Sequence, residues 1–131
     1  MCQVAEKSFN ILLVEDEPVI RELVRSMLTD GEVVVECASN GAEGLKVARS
    51  RSFDLFLLDV VLPQMDGITL CRMLKNEPTT ANVPLYMLTA KNKRSDVEEA
   101  TRAGADGYIH KPFRGVELME LVSKLREGRK G

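Results

Sequence analysis

The stretch Phe53-Asp54-Leu55-Phe56-Leu57-Leu58-Asp59 decides the fold class of this chain, because it is an apolar run that ends on a carboxylate. The uninterrupted apolar residues 55–58 are typical of a strand that is buried on both faces, as strands are inside a parallel sheet. Asp59 would then lie at the carboxyl end of that strand, where open α/β sheets bind their ligands. The stretch therefore predicts a parallel sheet with a functional aspartate at its edge.

Other apolar runs in the chain also end on polar groups. Residues 11–14 precede Glu15 and Asp16, residues 83–88 precede Thr89, and residues 108–110 precede Lys111. The carboxyl ends of parallel strands meet at one edge of a sheet, so we expect these acids, the hydroxyl and the amine to form one site.

Strand and helix signals alternate along the chain and predict an α/β fold. Predicted strands cover about residues 9–14, 33–35, 53–58, 83–88 and 106–110, and a helix follows each of them. Such alternation predicts a doubly wound parallel sheet of five strands in the order 2-1-3-4-5, with five helices, which is the flavodoxin-like arrangement.

Local signals predict where several helices begin, end and bury a face. Pro18 suits the first turn of the first helix, and Asn40 suits the N-cap of the second. Gly31 and Gly128 predict the ends of the first and last helices. The apolar residues of the first helix recur at helical spacing and predict its buried face: Ile20, Leu23, Val24, Met27 and Leu28.

Composition describes a soluble globular protein of one domain. The chain has 131 residues, of which 44% are hydrophobic and 29% charged, and we expect a core over about residues 8–127 with residues 128–131 as a tail or linker stump. A net charge of -2 offers no electrostatic case for direct nucleic-acid or membrane binding. The sequence shows no long apolar span and no signal-peptide pattern. An odd number of cysteines without metal-ligand spacing favours reduced thiols and a cytoplasmic protein: Cys2, Cys37 and Cys71.

The predicted strand order brings Glu15, Asp16 and Asp59 together, because the first and third strands are neighbours in it. Crowded carboxylates repel one another, and a divalent cation relieves that repulsion. Hard oxygen ligands favour Mg²⁺. The alternative for each acid taken singly is a solvated residue at a loop tip.

Two further strand-end residues suit the binding of an anion. Lys111 can pair with Asp59 and then with an anion bound to it, and the bond before Pro112 is a candidate cis peptide. Thr89 can donate its hydroxyl to an oxyanion. Each alone also fits an ordinary surface lysine or strand threonine. His110 is the sole histidine, and its place in a predicted strand makes it structural or partner-facing rather than a base.

The set of groups suits phosphoryl transfer, which depends on positioning and charge stabilisation. Asp59 is the predicted nucleophile and forms an acyl phosphate, for which a carboxylate needs no base. Mg²⁺, Lys111, Thr89 and backbone amides after the third strand would hold the phosphoryl oxygens.

The chain resembles the receiver domain of two-component response regulators, of the single-domain chemotaxis-regulator type. The resemblance covers about residues 8–127 and rests on Glu15-Asp16, Leu57-Leu58-Asp59, Pro63-Gln64-Met65-Asp66-Gly67, Leu88-Thr89-Ala90 and Lys111-Pro112-Phe113. It implies that a sensor histidine kinase or a histidine phosphotransfer protein donates the phosphoryl group to Asp59. It also implies that Asp16, Asp59 and the backbone carbonyl of Val61 hold Mg²⁺, with Glu15 acting mainly through water.

The resemblance further implies a switch. Thr89 would move toward the phosphoryl group and Tyr108 would turn inward, which would remodel the face of the fourth helix, fifth strand and fifth helix for an unidentified downstream protein. The protein would be a monomer or a phosphorylation-dependent dimer. Without the resemblance, Tyr108 is a half-buried aromatic on an edge strand. In this family Val61 and Lys91 match positions that tune phosphate lifetime, and an apolar Val61 predicts a long-lived phosphoryl state.

Other functions remain open at this level. A small phosphohydrolase that uses Asp59 as nucleophile would commonly carry a second acid two residues later, where this chain has Val61. A flavodoxin-like cofactor binder would need a hydroxyl- or glycine-rich first loop, but residues 15–18 are mostly acidic. A pseudo-receiver is disfavoured because no essential group is missing. The chain could also be a receiver cut from a larger regulator or hybrid kinase.

Overall fold

The computed structural model describes residues 8–89, 94–111 and 113–130, and for residues 89, 94–96 and 129–130 it describes the backbone alone. Lys91 and Pro112 therefore lie outside the described residues. In chain order the elements are β1 (Phe9–Val14), α1 (Pro18–Leu28), β2 (Val33–Ala38), α2 (Gly41–Ser50), β3 (Leu55–Asp59), α3 (Gly67–Lys75), β4 (Leu85–Thr89), α4 (Arg94–Ala103), β5 (Gly107–His110) and α5 (Gly115–Lys130).

Within the described residues, five strands form one parallel sheet in the order β2-β1-β3-β4-β5. The predicted α/β fold and strand order are confirmed. The winding reverses between β1 and β3, which pair in register with Val14 opposite Leu58. The ends of these two strands therefore lie side by side, and such a reversal is where doubly wound sheets place their sites.

The sheet is buried on both faces, which explains the apolar run in β3. Leu57 and Leu58 are both fully buried, but they belong to opposite core clusters. One cluster includes residues of α2, α3 and α4, and the other includes residues of α1 and α5. Successive side chains of a strand point to opposite faces, so each position in β3 must be apolar.

Several helix boundaries follow the sequence signals and others do not. Pro18 opens α1, and the Asn40 side chain accepts the backbone N–H of Glu43 at 2.8 Å, which confirms both predicted helix starts. The prediction that Gly128 ends the last helix is wrong, because α5 continues through it to Lys130. Gly128 lacks the positive φ of a helix-ending glycine, so it fits the helix.

The end and the buried face of α1 also differ from the prediction. The helix ends at Leu28 rather than at Gly31. Asp30 makes the turn instead, since its Oδ1 accepts the N–H groups of Glu32 and Val33 at 2.7 and 2.9 Å. Leu23, predicted to face the core, is 46% exposed, whereas the other four predicted residues do contact the core: Val24 and Leu28 are buried, and Ile20 and Met27 pack against it partly buried.

Strand lengths also differ from the predictions. β2 runs on to Ala38, since Glu36 and Cys37 pair with β1, and β4 begins at Leu85 rather than at residue 83.

Among the described residues, no helix is both long enough and apolar enough to cross a membrane.

Candidate functional site

An acidic cluster lies where β1 and β3 end side by side. Glu15 follows β1 directly, Asp16 comes next, and Asp59 is the last residue of β3. One carboxylate oxygen from each of the three lies within 4.8 Å of the others. Glu15 and Asp59 are buried, whereas Asp16 is exposed. The strand order thus brings together the three acids that the sequence places at strand ends.

Lys111, directly after β5, places its ammonium group between the two buried acids. Its Nζ lies 2.9 Å from Glu15 Oε1 and 3.1 Å from Asp59 Oδ2. The lysine side chain is 14% exposed, so solvent screens these contacts weakly. The predicted pairing with Asp59 is present, and the contact with Glu15 adds a second partner that the sequence did not indicate.

The protonation states of the cluster follow from burial and from shared charge. Burial raises the pKa of the Glu15 carboxyl to about 7; the hydrogen bond from Lys111 opposes this rise, and the charge of Asp59 adds to it. Burial acts to lower the pKa of Lys111, but its contacts with Glu15 and Asp59 outweigh burial and raise that pKa above its usual range. The single ammonium of Lys111 thus neutralises only part of the negative charge of Glu15 and Asp59.

The second oxygen of Asp59 is held by the loop that follows it. Its Oδ1 accepts the backbone N–H of Val61 at 3.1 Å, while its Oδ2 contacts Lys111. Both carboxylate oxygens thus have a donor, which fixes the orientation of the carboxylate. The Val61 side chain itself is 73% exposed.

The backbone behind Asp59 packs against Gly67, the first residue of α3. A Cβ placed on Gly67 would lie 2.0 Å from the Asp59 carbonyl oxygen, and the Gly67 N–H donates to the Val60 carbonyl at 2.9 Å. Only glycine allows this approach. The sequence shows Gly67 after a loop, but the backbone contact that requires it arises only in the folded chain.

The loop between β1 and α1 is held by two contacts to Glu15. The Glu17 N–H donates to Glu15 Oε2 at 3.2 Å, and Arg21 Nη1 donates to the Glu15 backbone carbonyl at 2.8 Å. Sequence reasoning missed Arg21. The sequence does show a cation, Arg21, on the turn of α1 nearest the acidic loop. Such a residue is equally typical of the solvent-exposed face of a helix.

The remaining predicted residues lie on the β4–β5 side. Thr89 ends β4 opposite His110 of β5, and its side chain is outside the described part of the chain. Tyr108 is 42% exposed and makes an edge-to-face contact with His110, at 5.6 Å between ring centroids. His110 lies in a strand, as predicted.

The donor set fits a hard divalent cation. The three clustered side chains offer only carboxylate oxygens, and carboxylates are the protein ligands that Mg²⁺ and Ca²⁺ prefer. Their negative charge exceeds the single positive charge of Lys111, so a cation would find electrostatic compensation there.

Comparison with known proteins agrees with this site. Residues 11–123 match the family described as the response regulator receiver domain, and the chain belongs to that family. It is 36% identical to Response regulator ArlR of Staphylococcus epidermidis over 117 residues, which are 89% of this chain and 51% of ArlR. It is 41% identical to Transcriptional regulatory protein CseB of Streptomyces coelicolor over 113 residues, which are 86% of this chain and 47% of CseB.

A solved receiver domain shows the same architecture. The receiver domain of sensor histidine kinase PA1611 from Pseudomonas aeruginosa superposes with a TM-score of 0.84 at 30% sequence identity, covering 92% of this chain and 98% of that one. The predicted resemblance is thereby confirmed: this is a receiver domain of the two-component type, and receiver domains are signalling modules. The chain spans about half the length of the two curated relatives.

Proposed function

We propose that Asp59 accepts a phosphoryl group from a phosphohistidine, carried by a sensor histidine kinase or by a histidine phosphotransfer protein. The observation that carries this proposal is the position of the Asp59 carboxylate, which lies within the acidic cluster and 3.1 Å from the ammonium of Lys111. Receiver domains interact with these two classes of donor. The proposal assigns the reaction of that class to a particular side chain.

The chemistry requires little more than position and charge. An Asp59 carboxylate oxygen attacks phosphorus opposite the imidazole; an O–P bond forms as the N–P bond breaks, and the leaving nitrogen keeps the electron pair. No base is needed, since the carboxylate has no proton to lose. Lys111 is close enough to Asp59 to neutralise the charge of the bound phosphoryl oxygens.

We assign a Mg²⁺ site to the acidic cluster. Asp16, Asp59 and the backbone carbonyl of Val61 would hold the ion, with Glu15 acting mainly through water. When bound, it supplies positive charge to the phosphoryl oxygens. Support comes from the clustered oxygens and from the receiver domain of PA1611, which is described with a magnesium ion coordinated in its active-site cleft.

The acceptor assignment is tested by replacing the carboxylate with an amide. We expect Asp59→Asn to lose covalent labelling by acetyl phosphate with Mg²⁺, measured by intact mass and by phosphate-affinity electrophoresis. The matched control is Asp66→Asn, because exposed Asp66 caps α3 through the Thr69 N–H at 2.7 Å and asparagine caps equally well. Undiminished labelling of Asp59→Asn, or equal loss in both variants, would refute the assignment.

We further propose that the output is a switch on the β5 side. Phosphorylation would draw Thr89 toward the phosphoryl group and Tyr108 inward from its exposed position, changing the face of α4, β5 and α5 for a downstream protein. The same face would serve a phosphorylation-dependent dimer.

We also propose that Val61 and Lys91 set the phosphoryl lifetime. The exposed Val61 side chain follows the acceptor by two residues and cannot orient an attacking water, so hydrolysis should be slow. We expect Val61→Asn to shorten the half-life of the phosphorylated protein severalfold, as followed by intact mass over time. A half-life of only seconds, unchanged by the substitution, would contradict the proposal.

A further inference from the structure

Gly41, the first residue of α2, lies in backbone contact with the loop that follows the acceptor strand. A Cβ placed on Gly41 would lie 2.7 Å from the backbone oxygen of Met65 and 2.8 Å from the Met65 Cβ. Gly41 is buried at this contact. The start of α2 and the loop of residues 60–66 therefore touch more closely than any residue with a side chain would allow.

The other anchors of the loop lie near its ends. The Val60 N–H donates to the Leu88 carbonyl of β4 at 3.0 Å, and the Gly67 N–H donates to the Val60 carbonyl at 2.9 Å. The tip is a tight turn, in which Gln64 has a φ of 70° and the Met65 N–H donates to the Pro63 carbonyl at 2.7 Å. The contact with Gly41 supports this tip from the side of α2.

We propose that Gly41 is a positioning residue for the acceptor site. By letting α2 support the tip of the loop, it sets the position of Val61, whose N–H donates to Asp59 and whose carbonyl is assigned to the metal. The inference that Gly41 affects metal binding through the Val61 carbonyl rests on the proposed function, which assigns that carbonyl to the metal. The three atoms nearest to a Cβ on Gly41 all belong to Met65, so Gly41 acts through Met65 and the loop backbone.

A methyl group on Gly41 must displace the loop rather than the helix. Its nearest neighbour would be a backbone oxygen, which cannot rotate away as the end of a flexible side chain can. α2 is held by the Asn40 cap and by the burial of Leu45 and Ala48 in the core. The loop lies at the surface of the molecule, where Pro63 and Gln64 are both exposed. The loop is therefore the part that yields.

Gly44 in the same helix provides a matched control. It is also buried, and a Cβ placed on it would lie 2.7 Å from Cγ2 of Val14 and 3.4 Å from a methyl group of Leu70. These neighbours are core side chains and not loop backbone. Gly44→Ala thus imposes a similar crowding on α2 without touching residues 60–66.

The test titrates Mg²⁺ into each protein by isothermal calorimetry and, separately, measures the rate of labelling by acetyl phosphate. We expect Gly41→Ala to weaken Mg²⁺ binding by about 10- to 100-fold, the usual loss when a group that orients a metal ligand is removed. Gly44→Ala crowds Val14, which directly precedes Glu15, and should lose clearly less Mg²⁺ affinity than Gly41→Ala, even if denaturant unfolding shows lower stability. Equal Mg²⁺ affinity of Gly41→Ala and wild type, or equal weakening in both variants, would overturn the inference.

A second variant covers the case in which Gly41→Ala does not fold. Met65→Gly removes the Cβ that rests against Gly41 and should also weaken Mg²⁺ binding, whereas unchanged binding would overturn the inference. The outcome is separable from that of the proposed function. A wild type that binds Mg²⁺ but is never labelled on Asp59 refutes the acceptor assignment and leaves the role of Gly41 to the titration.

Discussion

Glu15 is completely buried, and this burial gives the acidic cluster its pH dependence. A buried carboxylate is costly when ionised, and Asp59 adds a second negative charge nearby. Lys111 compensates only in part because both acids share it. In the metal-free protein, a proton on Glu15 therefore relieves the repulsion that a cation would otherwise relieve.

The stability of the metal-free protein should fall as pH rises from about 4.5 to about 7 and level off above that range. The pKa of Glu15 is raised from 4.5 to about 7 on folding, so its contribution is fully present below about pH 4.5 and is lost as pH rises through about 7. The loss should be on the order of 3 kcal/mol. Urea unfolding in a chelator across this range measures it, and Glu15→Gln should flatten the profile.

Glu43→Gln is the control for this titration, because the sign for Glu43 is opposite. Hydrogen bonds from the backbone N–H and hydroxyl of Ser39 lower the pKa of the exposed Glu43 carboxyl. Its contribution is present above its unfolded pKa of 4.5 and is lost as pH falls through its lower folded value. The fall of stability between about pH 4.5 and 7 should thus persist in Glu43→Gln, and its persistence in Glu15→Gln would contradict the assignment.

At the scale of elements, Lys75 links α3 to the starts of β4 and β5. Its Nζ donates to the carbonyls of Ala81 and Val83 at 3.1 and 2.8 Å and to Asp106 Oδ2 at 3.1 Å. Its stem lies against Gly104, where a φ of 108° favours glycine and a Cβ would lie 2.9 Å from the lysine Cγ. One side chain thus orders the amino-terminal ends of β4 and β5, at the end of the sheet opposite the acidic cluster.

We expect Lys75→Met to lower the free energy of unfolding by about 2–3 kcal/mol, because methionine keeps the stem but leaves the carbonyls and Asp106 without their charged donor. Urea unfolding followed by circular dichroism measures the loss. Lys46→Met, an exposed lysine on α2, is the control and should cost less than about 0.5 kcal/mol. Equal costs in the two variants would show that the Lys75 contacts are energetically unimportant.

Element boundaries show where sequence reasoning stops. The cap at Asn40 was predictable, since it needs only its own N–H partner three residues later. The end of α1 was not, since Asp30 rather than Gly31 turns the chain toward β2. Leu23 has the spacing of a core residue but is partly exposed, because spacing alone does not determine how much of an apolar helix face its neighbours cover.

For the whole molecule, the proposed switch requires that a change at Asp59 on β3 reach β5, the strand at one edge of the sheet. β3, β4 and β5 lie in that order, so β4 separates the acceptor strand from Tyr108. Tyr108 is exposed and rests edge-to-face on His110. An inward movement of Tyr108 would therefore change the surface of the β5 edge without altering the sheet.

Fluorinated tyrosine offers a direct measurement, because the chain has only two tyrosines, Tyr86 and Tyr108. In the protein labelled with 3-fluorotyrosine, acetyl phosphate and Mg²⁺ should shift the fluorine resonance of Tyr108 more than that of Tyr86, as Tyr108 becomes buried. Asp59→Asn should abolish the shift. A Tyr108 resonance that does not respond in labelled protein, or that responds equally in Asp59→Asn, would contradict the switch.

The sequence by itself determined the strand runs, their parallel pairing and the polar residue at the end of each, because burial on both faces demands continuous apolar side chains and parallel strands share one functional edge. The motifs around Asp59 also indicated the family. Only the tertiary structure decided the contacts between elements: Lys111 shared by Glu15 and Asp59, Gly67 against the acceptor backbone, and Gly41 against the following loop. Such contacts join residues far apart in the chain, and their distances depend on how helices pack on the sheet, which no local pattern of residues encodes.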